Sequence, residues 1–237
     1  MPKEKVLIVQ NSPHEGPGLI ADLLKIFETP YTILNLESSL TFPSLNDLAL
    51  LIILGGPDSV QDHTPKIQKE LRYVKSAFSA KIPILGICLG LQLMVKANGG
   101  QVRANPTTEV GFRMEGKWNK IHLTSEGRKD PIFRGIPSEF KVFHLHGETV
   151  EITETMSILG RGNYCQNQIV QIGHNNYGFQ FHLELTEQML REWLKLAPEL
   201  RNSNAEELLK DYVQIQNDYT ETGKKIFTNY LKLIGLI

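Results

Sequence analysis

"IPILGICLGLQLM", Ile82–Met94, is the stretch that decides how this chain is read. An apolar run ends in Gly-Ile-Cys-Leu-Gly, and a second apolar run with helical spacing follows at once. A short apolar run bounded by a turn predicts a buried strand, so Cys88 falls where a strand becomes a helix. Gly86 and Gly90 permit strained backbone and close approach of neighbouring chain at that turn. A helix starting just after Cys88 points free N–H groups and its positive dipole end at the sulfur, which favours thiolate, the nucleophilic form. The same turn aims the N–H of Leu89 at the space in front of the sulfur, where an oxyanion would form. The competing reading is a buried core cysteine, but a core cysteine would not need the two glycines.

The pattern extends outward in both directions. "KVLIVQ" (5–10), "YTILNL" (31–36) and "LALLIILGGP" (48–57) read as apolar strands, the last ending in Gly55-Gly56-Pro57. Between them "SPHEGPG" (12–18) reads as a loop and "LIADLLKIFE" as a helix. "PKIQKELRYVKSAF" predicts a second helix with Ile67, Leu71, Val74 and Phe78 on one face. Nearly all-apolar strands alternating with helices predict a parallel sheet covered on both faces. Beyond the helix after Cys88, "GGQVRA", "EVGFRME", "NKIHLT", "FKVFHLHGETVEI", "SILGRG" and "QIVQIGHNNYGFQFH" predict short antiparallel strands and hairpins. From Thr186 the chain turns helical again. "NAEELLKDYVQIQNDY" and "GKKIFTNYLKLI" predict two tail helices, each with an apolar stripe. Pro198–Asn204 is the only plausible boundary, which gives a main domain over 1–197 and a helical extension over 198–237 packed on it.

The 237 residues and 41% hydrophobic content suffice for one sizeable core. A formal charge of -1 gives no basic footprint for nucleic acid or membrane. Two cysteines, Cys88 and Cys165, cannot form a disulfide framework, so a reducing cytoplasm is the expected compartment. The N-terminal "MPKEKVLIVQNSPHEG" lacks the form of a signal peptide, and no apolar run is long enough to span a bilayer.

A nucleophilic cysteine needs a base, and the base needs an orienter. Of seven histidines, His182 ends an apolar run and is followed by Glu184. Residues i and i+2 of an extended chain share a side, so Glu184 can reach back to the imidazole. It can equally be a helix-start carboxylate, and H-x-E alone is a weak signal.

Taken in order, "GGP", "GICLGLQ", "HLHGE" and "GFQFHLE" resemble class I glutamine amidotransferases, in the branch that includes the glutamine-hydrolysing part of GMP synthase. The resemblance covers about 5–194. It implies a flavodoxin-like α/β three-layer sandwich with a central, mainly parallel sheet, plus C-terminal helices. It implies a triad of Cys88, His182 and Glu184, and an oxyanion hole from the N–H groups of Gly56 and Leu89. It also implies that Gln92, with Gly147 and Glu148 of the "HGE" loop, binds substrate. Glutamine would be hydrolysed through a cysteinyl thioester to supply ammonia, with no metal or organic cofactor. The partners this admits are a separate acceptor subunit or a second copy in a homodimer.

His144 and His146 are read as loop-shaping, Glu109 in "TTEVGF" as architectural, and Cys165 as a core or loop residue. The family's "HPE" is "HLE" here, and Leu183 in place of proline is read as a branch marker. It weakens the case for the glutaminase subunit of a two-chain GMP synthase, as does the long tail. A γ-glutamyl peptide or amide hydrolase would use the same triad. A dienelactone-hydrolase-like enzyme also uses G-x-C-x-G, but there the acidic partner precedes the histidine. A degenerate, non-catalytic member is disfavoured by the intact Cys, His and Glu.

Overall fold

The computed structural model describes residues 5–237; residues 1–4, on which part of the signal-peptide reading rests, lie outside them. The alternating half of the chain is β1 (Lys5–Gln10), α1 (Gly18–Ile26), β2 (Tyr31–Asn35), β3 (Leu48–Ile53), α2 (Pro65–Ser79), β4 (Ile84–Ile87) and α3 (Leu89–Ala97). There follow β5 (Gln101–Gly111), β6 (Arg113–Met114), β7 (Lys117–Trp118), β8 (Lys120–Leu123), β9 (Glu139–Lys141) and β10 (His144–Glu151). β11 (Met156–Arg161), β12 (Ile169–Ile172), β13 (Asn176–Phe179), α4 (Glu187–Leu196) and α5 (Ala205–Leu233) complete it.

One nine-stranded sheet has the order β2-β1-β3-β4-β13-β12-β11-β8-β9. β2, β1, β3, β4 and β13 are parallel neighbours. β12, β11, β8 and β9 extend the far edge by antiparallel pairing. The continuous apolar runs of β1 and β3 are explained by burial on both faces. Val6, Ile8, Leu50, Ile52, Leu85 and Ile87 face a core shared with α1, α4 and α5. Their alternates Leu7, Val9, Leu51, Ile53 and Ile84 face a second core shared with α2 and α3. This is the three-layer α/β sandwich expected from the sequence.

Local chemistry sets the helix ends. Thr64 caps α2 by accepting the Ile67 N–H, with Pro65 in the first helical turn. Asn204 caps α5 in the same way through Glu207 N. Two expectations are corrected. "GGQVRA" and the start of "EVGFRME" are not separate strands but one 11-residue β5, paired antiparallel with β10. The tail is not two helices but one of 29 residues. Gly223 costs such a helix about 1 kcal/mol relative to alanine. It is needed there because a Cβ would lie 2.6 Å from the Leu183 carbonyl oxygen. The apolar spacing passes through it from Tyr219 to Ile226 without a break in phase.

Candidate active site

In open α/β sheets, ligands bind outside the carboxyl ends of the strands. Here the ends of β1, β3 and β4 deliver Asn11–Glu15, Gly55–Gly56 and Cys88 to one place. Cys88 has φ 51° and ψ -106°, the strained turn expected between strand and helix. Its N–H donates to Phe179 O at 2.7 Å, which ties the turn to β13. The flanking glycines are explained by close approach. A Cβ on Gly86 would lie 2.6 Å from the Gly90 carbonyl carbon, and one on Gly90 would lie 2.2 Å from Ile53 O.

β13 runs on into Gln180–Glu184. His182 Nδ1 donates to Glu184 Oε1 at 2.6 Å, and both side chains are buried. The second carboxylate oxygen accepts the Leu183 N–H at 3.0 Å. Proline at 183 would have no such donor, so leucine here does more than mark a branch. Burial alone would lower the His182 pKa. The Glu184 carboxylate and the neighbouring Cys88 thiol outweigh it and hold the imidazole well above its usual value. The backbone of His182 is fixed by Phe143, whose carbonyl accepts its N–H at 2.9 Å. Trp193 packs edge-on against the ring, 5.0 Å between centroids.

The N–H groups of Gly56 and Leu89 have no backbone acceptor among the described residues. Gly56 lies against Asn11, where a Cβ would come within 2.6 Å of Asn11 Cβ. Asn11 Nδ2 in turn donates to Leu54 O and to buried Glu70. A cavity of about 200 Å³ opens at the sulfur, lined by Gly56, Ser59, Gln92, Gly147 and Glu148 among others. Gly147 sits at a bulge where the β10–β5 register shifts, which turns the loop toward the cavity. Ser59 Oγ donates to Glu148 Oε1 at 2.9 Å. A larger cavity of about 480 Å³ lies between β9 and α5 with Lys120, Asp218 and Lys225 on its walls. It holds no cysteine or serine and shares no lining residue with the cavity at Cys88.

Gln92 is buried, not a surface glutamine, and its Nε2 donates to Gln180 Oε1 at 3.4 Å. Gln180 Nε2 reaches Cys88 Sγ at 3.6 Å. Gln180 is absent from the sequence-derived site although a signal existed: it precedes His182 by two, hence on the same side of an extended segment. Cys165 is buried away from the cavity against Thr149, and burial pushes its thiol up.

Glu109, His144 and His146 form a buried cluster. Glu109 Oε1 lies 3.5 Å from His144 Nε2, and its Oε2 lies 3.2 Å from His146 Nε2. Gln168 Nε2 donates to the same carboxylate. Burial holds His144 well below the usual histidine value. Donor atoms of the three residues lie within 4.8 Å of one another, so among the described residues this is the set with metal-ligand composition. His146 Nδ1 donates to Glu148 O at 2.9 Å, which makes the cluster the support of the Gly147–Glu148 loop.

The family model described as glutamine amidotransferase class-I matches residues 19–195. The glutamine amidotransferase-like protein YfeJ of Salmonella typhimurium is 27% identical over 192 residues, covering 78% of each chain. The glutamine-hydrolyzing GMP synthase of Bacillus subtilis is 32% identical over 166 residues, 69% of this chain. The match spans only 27% of that synthase's length. A glutamine amidotransferase structure from Thermotoga maritima superposes with TM-score 0.86 at 20% identity, covering 99% of this chain and 100% of that one, and so shares the fold.

Proposed function

The chain belongs to the class-I glutamine amidotransferase family, and from that premise we propose that it hydrolyses the side-chain amide of glutamine through a thioester on Cys88. The observation that carries the reading is Cys88 on a strained strand-to-helix turn, beside a buried His182 that is bonded to Glu184. In this reading Cys88 Sγ attacks the amide carbon. The N–H groups of Gly56 and Leu89 receive the oxyanion. His182, kept in one tautomer by Glu184, gives its proton to the departing ammonia. It then takes a proton from the water that cleaves the thioester. Gln92, through Gln180, steadies the thiol side of the cavity. Gly147 and Glu148 meet the amino-acid head group, with Glu148 placed by Ser59.

We read residues 1–197 as the amidotransferase domain and 198–237 as an extension packed on it. The support is that α5 contributes Tyr212, Tyr219 and Phe227 to the same core as β1 and β3. Ammonia would pass to an acceptor held outside this domain or to a small acceptor bound here; the match to the synthase spans about a quarter of that protein. No helix among the described residues is long and apolar enough to cross a membrane. That accords with work in the cytoplasm.

The test is ammonia release from glutamine by the purified chain and by Cys88→Ala, beside release from a γ-glutamyl dipeptide. Glutamine turnover that Cys88→Ala abolishes supports the reading. Turnover of the dipeptide but not of glutamine moves the substrate to γ-glutamyl amides. Unchanged turnover in Cys88→Ala refutes the mechanism.

A further inference from the structure

The loop Ser12–Pro17 follows β1, leads into Gly18 at the start of α1, and belongs to none of the motifs that define the site. It is nonetheless clamped onto the catalytic segment. Glu15 N donates to Ser12 O at 3.1 Å, Trp193 Nε1 donates to His14 O at 2.7 Å, and Leu19 N donates to Glu184 O at 2.9 Å. Gly18 has φ +44°, and a Cβ there would lie 2.0 Å from Glu184 O, so the loop closes directly over that residue. These contacts aim the Glu15 side chain inward, where it is only 8% exposed. Its Oε2 lies 2.4 Å from the point a Gly55 Cβ would occupy. His182 Cε1 is 3.1 Å and Cys88 Cβ 3.4 Å from the same point. Glycine at 55 therefore leaves room for a second carboxyl beside the triad. Among the described residues that carboxyl has no hydrogen-bond partner.

We propose that Glu15 is a further catalytic residue, whose carboxylate accepts a hydrogen bond from the nitrogen that leaves the substrate amide. The proposal rests on the thioester reading above. The oxyanion faces the Gly56 and Leu89 N–H groups, so the departing nitrogen faces His182 Nε2. Cε1 lies between the two ring nitrogens; Nδ1 is held by Glu184, and Glu15 lies at the Cε1 edge of the imidazole, next to the nitrogen that is left free. In the step, Sγ bonds to the amide carbon, the C–N bond breaks, and the His182 proton passes to nitrogen. Glu15 exchanges no atom. It stabilises the N–H groups of a nitrogen that becomes more positive as it is protonated, in a site where a charged acceptor counts for more than in water. A carboxylate this shielded from water, with no protein donor, gains from a substrate N–H.

The role requires the ionised form. Burial pushes the Glu15 pKa up to about 7; the nearby His182 and Lys66 lower it, and Glu184 and Glu199 raise it. Turnover that depends on this carboxylate should rise with pH through that value.

The experiment uses the full chain with Glu15→Gln, which keeps shape and loses charge, and Glu15→Ala, which relieves the burial. Cys88 is labelled with a diazo-ketone analogue of glutamine, which releases dinitrogen rather than an amine. Amide hydrolysis is followed across pH 5.5–8.5. The expected result is labelling within about twofold of the parent, kcat/KM at least tenfold lower, and loss of the rise through pH 7, within the usual range for a group acting on proton transfer. Hydrolysis within about twofold of the parent overturns the proposal. So does labelling that falls in step with hydrolysis, which would make Glu15 a packing residue of the His182 segment. A parent protein that neither labels at Cys88 nor hydrolyses glutamine or γ-glutamyl amides overturns the thioester reading itself, and Glu15's role with it.

Discussion

Tyr219 lies in the middle of α5, yet its hydroxyl donates to the backbone carbonyl of His182 at 2.8 Å. Tyr219→Phe removes that donor and little else. The ring stays packed between Phe112 and Tyr212, and burial keeps the hydroxyl far from ionising in the parent. The other donor to the same oxygen is Phe143 N, at a long 3.4 Å, so the carbonyl is left poorly satisfied in a dry site. Losing one hydrogen bond to a buried acceptor costs about 1–2 kcal/mol. For a chain of this size that lowers Tm by roughly 2–8 °C. The kinetic effect is separate. His182 must present Nε2 to Cys88 while Nδ1 stays on Glu184, and slack in its backbone degrades both alignments. A displacement of 1 Å can cost about 100-fold, so a partial release should lower kcat roughly tenfold with KM within about twofold. Thermal unfolding and steady-state hydrolysis on the same preparation read both effects. A variant that melts with the parent and keeps kcat within about twofold would show that α5 does not position the histidine.

Glu184→Gln should retain the fold and substrate binding but lose roughly 10²–10⁴-fold in kcat, measured as ammonia release, because an amide supports the imidazolium poorly. Leu183→Pro removes the N–H that Glu184 Oε2 accepts; it should fold with measurable but reduced turnover, and parent-level activity would show that this bond is idle. Truncation after Asn202 strips the core of the α5 residues from Leu208 to Leu231. More is lost than a net stability of roughly 5–15 kcal/mol can absorb, so circular dichroism should report an unfolded or aggregated chain. A truncated protein that stays folded with basal hydrolysis would assign the helix to docking instead. Stability should fall as pH rises from about 5 to 7.5. Burial pushes Glu15 and Glu70 from 4.5 up to about 7, so the folded state holds protons that the unfolded state has released. Each group then contributes a slope of up to about 1.4 kcal/mol per pH unit in that window. His182, raised above 6.5, has the same sign once the pH passes that value, whereas His144, lowered, opposes it below that value. Urea midpoints that rise steadily across this range would refute the assignment.

The parallel half was legible because burial on both faces imposes unbroken apolar runs, as in β1 and β3, and because the glycines around Cys88 announce a close crossing. His182 and Glu184 were legible as i and i+2 of one extended segment. Gln180 has the same relation to His182, but glutamine in an apolar strand carries no chemistry until its partner is known, and that partner, Cys88, is 92 positions away. Glu15 could not be read at all: it stands in a loop, and what gives it meaning is the empty Cβ position of Gly55. The continuity of α5 was hidden by Gly223, which looks like a break in sequence and acts as a contact in space.

Leu183 and α5 bear on one mechanical problem. A histidine and its carboxylate two residues apart depend on the backbone between them being fixed. Proline, where the family has it, fixes φ covalently and offers no N–H. With leucine, φ is free, and the restraint has to come from contacts. The Leu183 N–H turns inward onto Glu184 Oε2, and the carbonyl of His182 accepts from Tyr219. The Leu183 carbonyl lies against Gly223, and the carbonyl of Glu184 accepts from Leu19. Three successive carbonyls, 182 to 184, are thus held by α5 and by the start of α1. If these contacts replace the proline, Leu183→Pro and Tyr219→Phe act on the same restraint. Their combined loss of turnover should then be smaller than the product of the two single losses, because proline restores in part what the tyrosine supplied. Losses that multiply in full would mean that the two act independently, and that α5 holds His182 for a reason unconnected with residue 183.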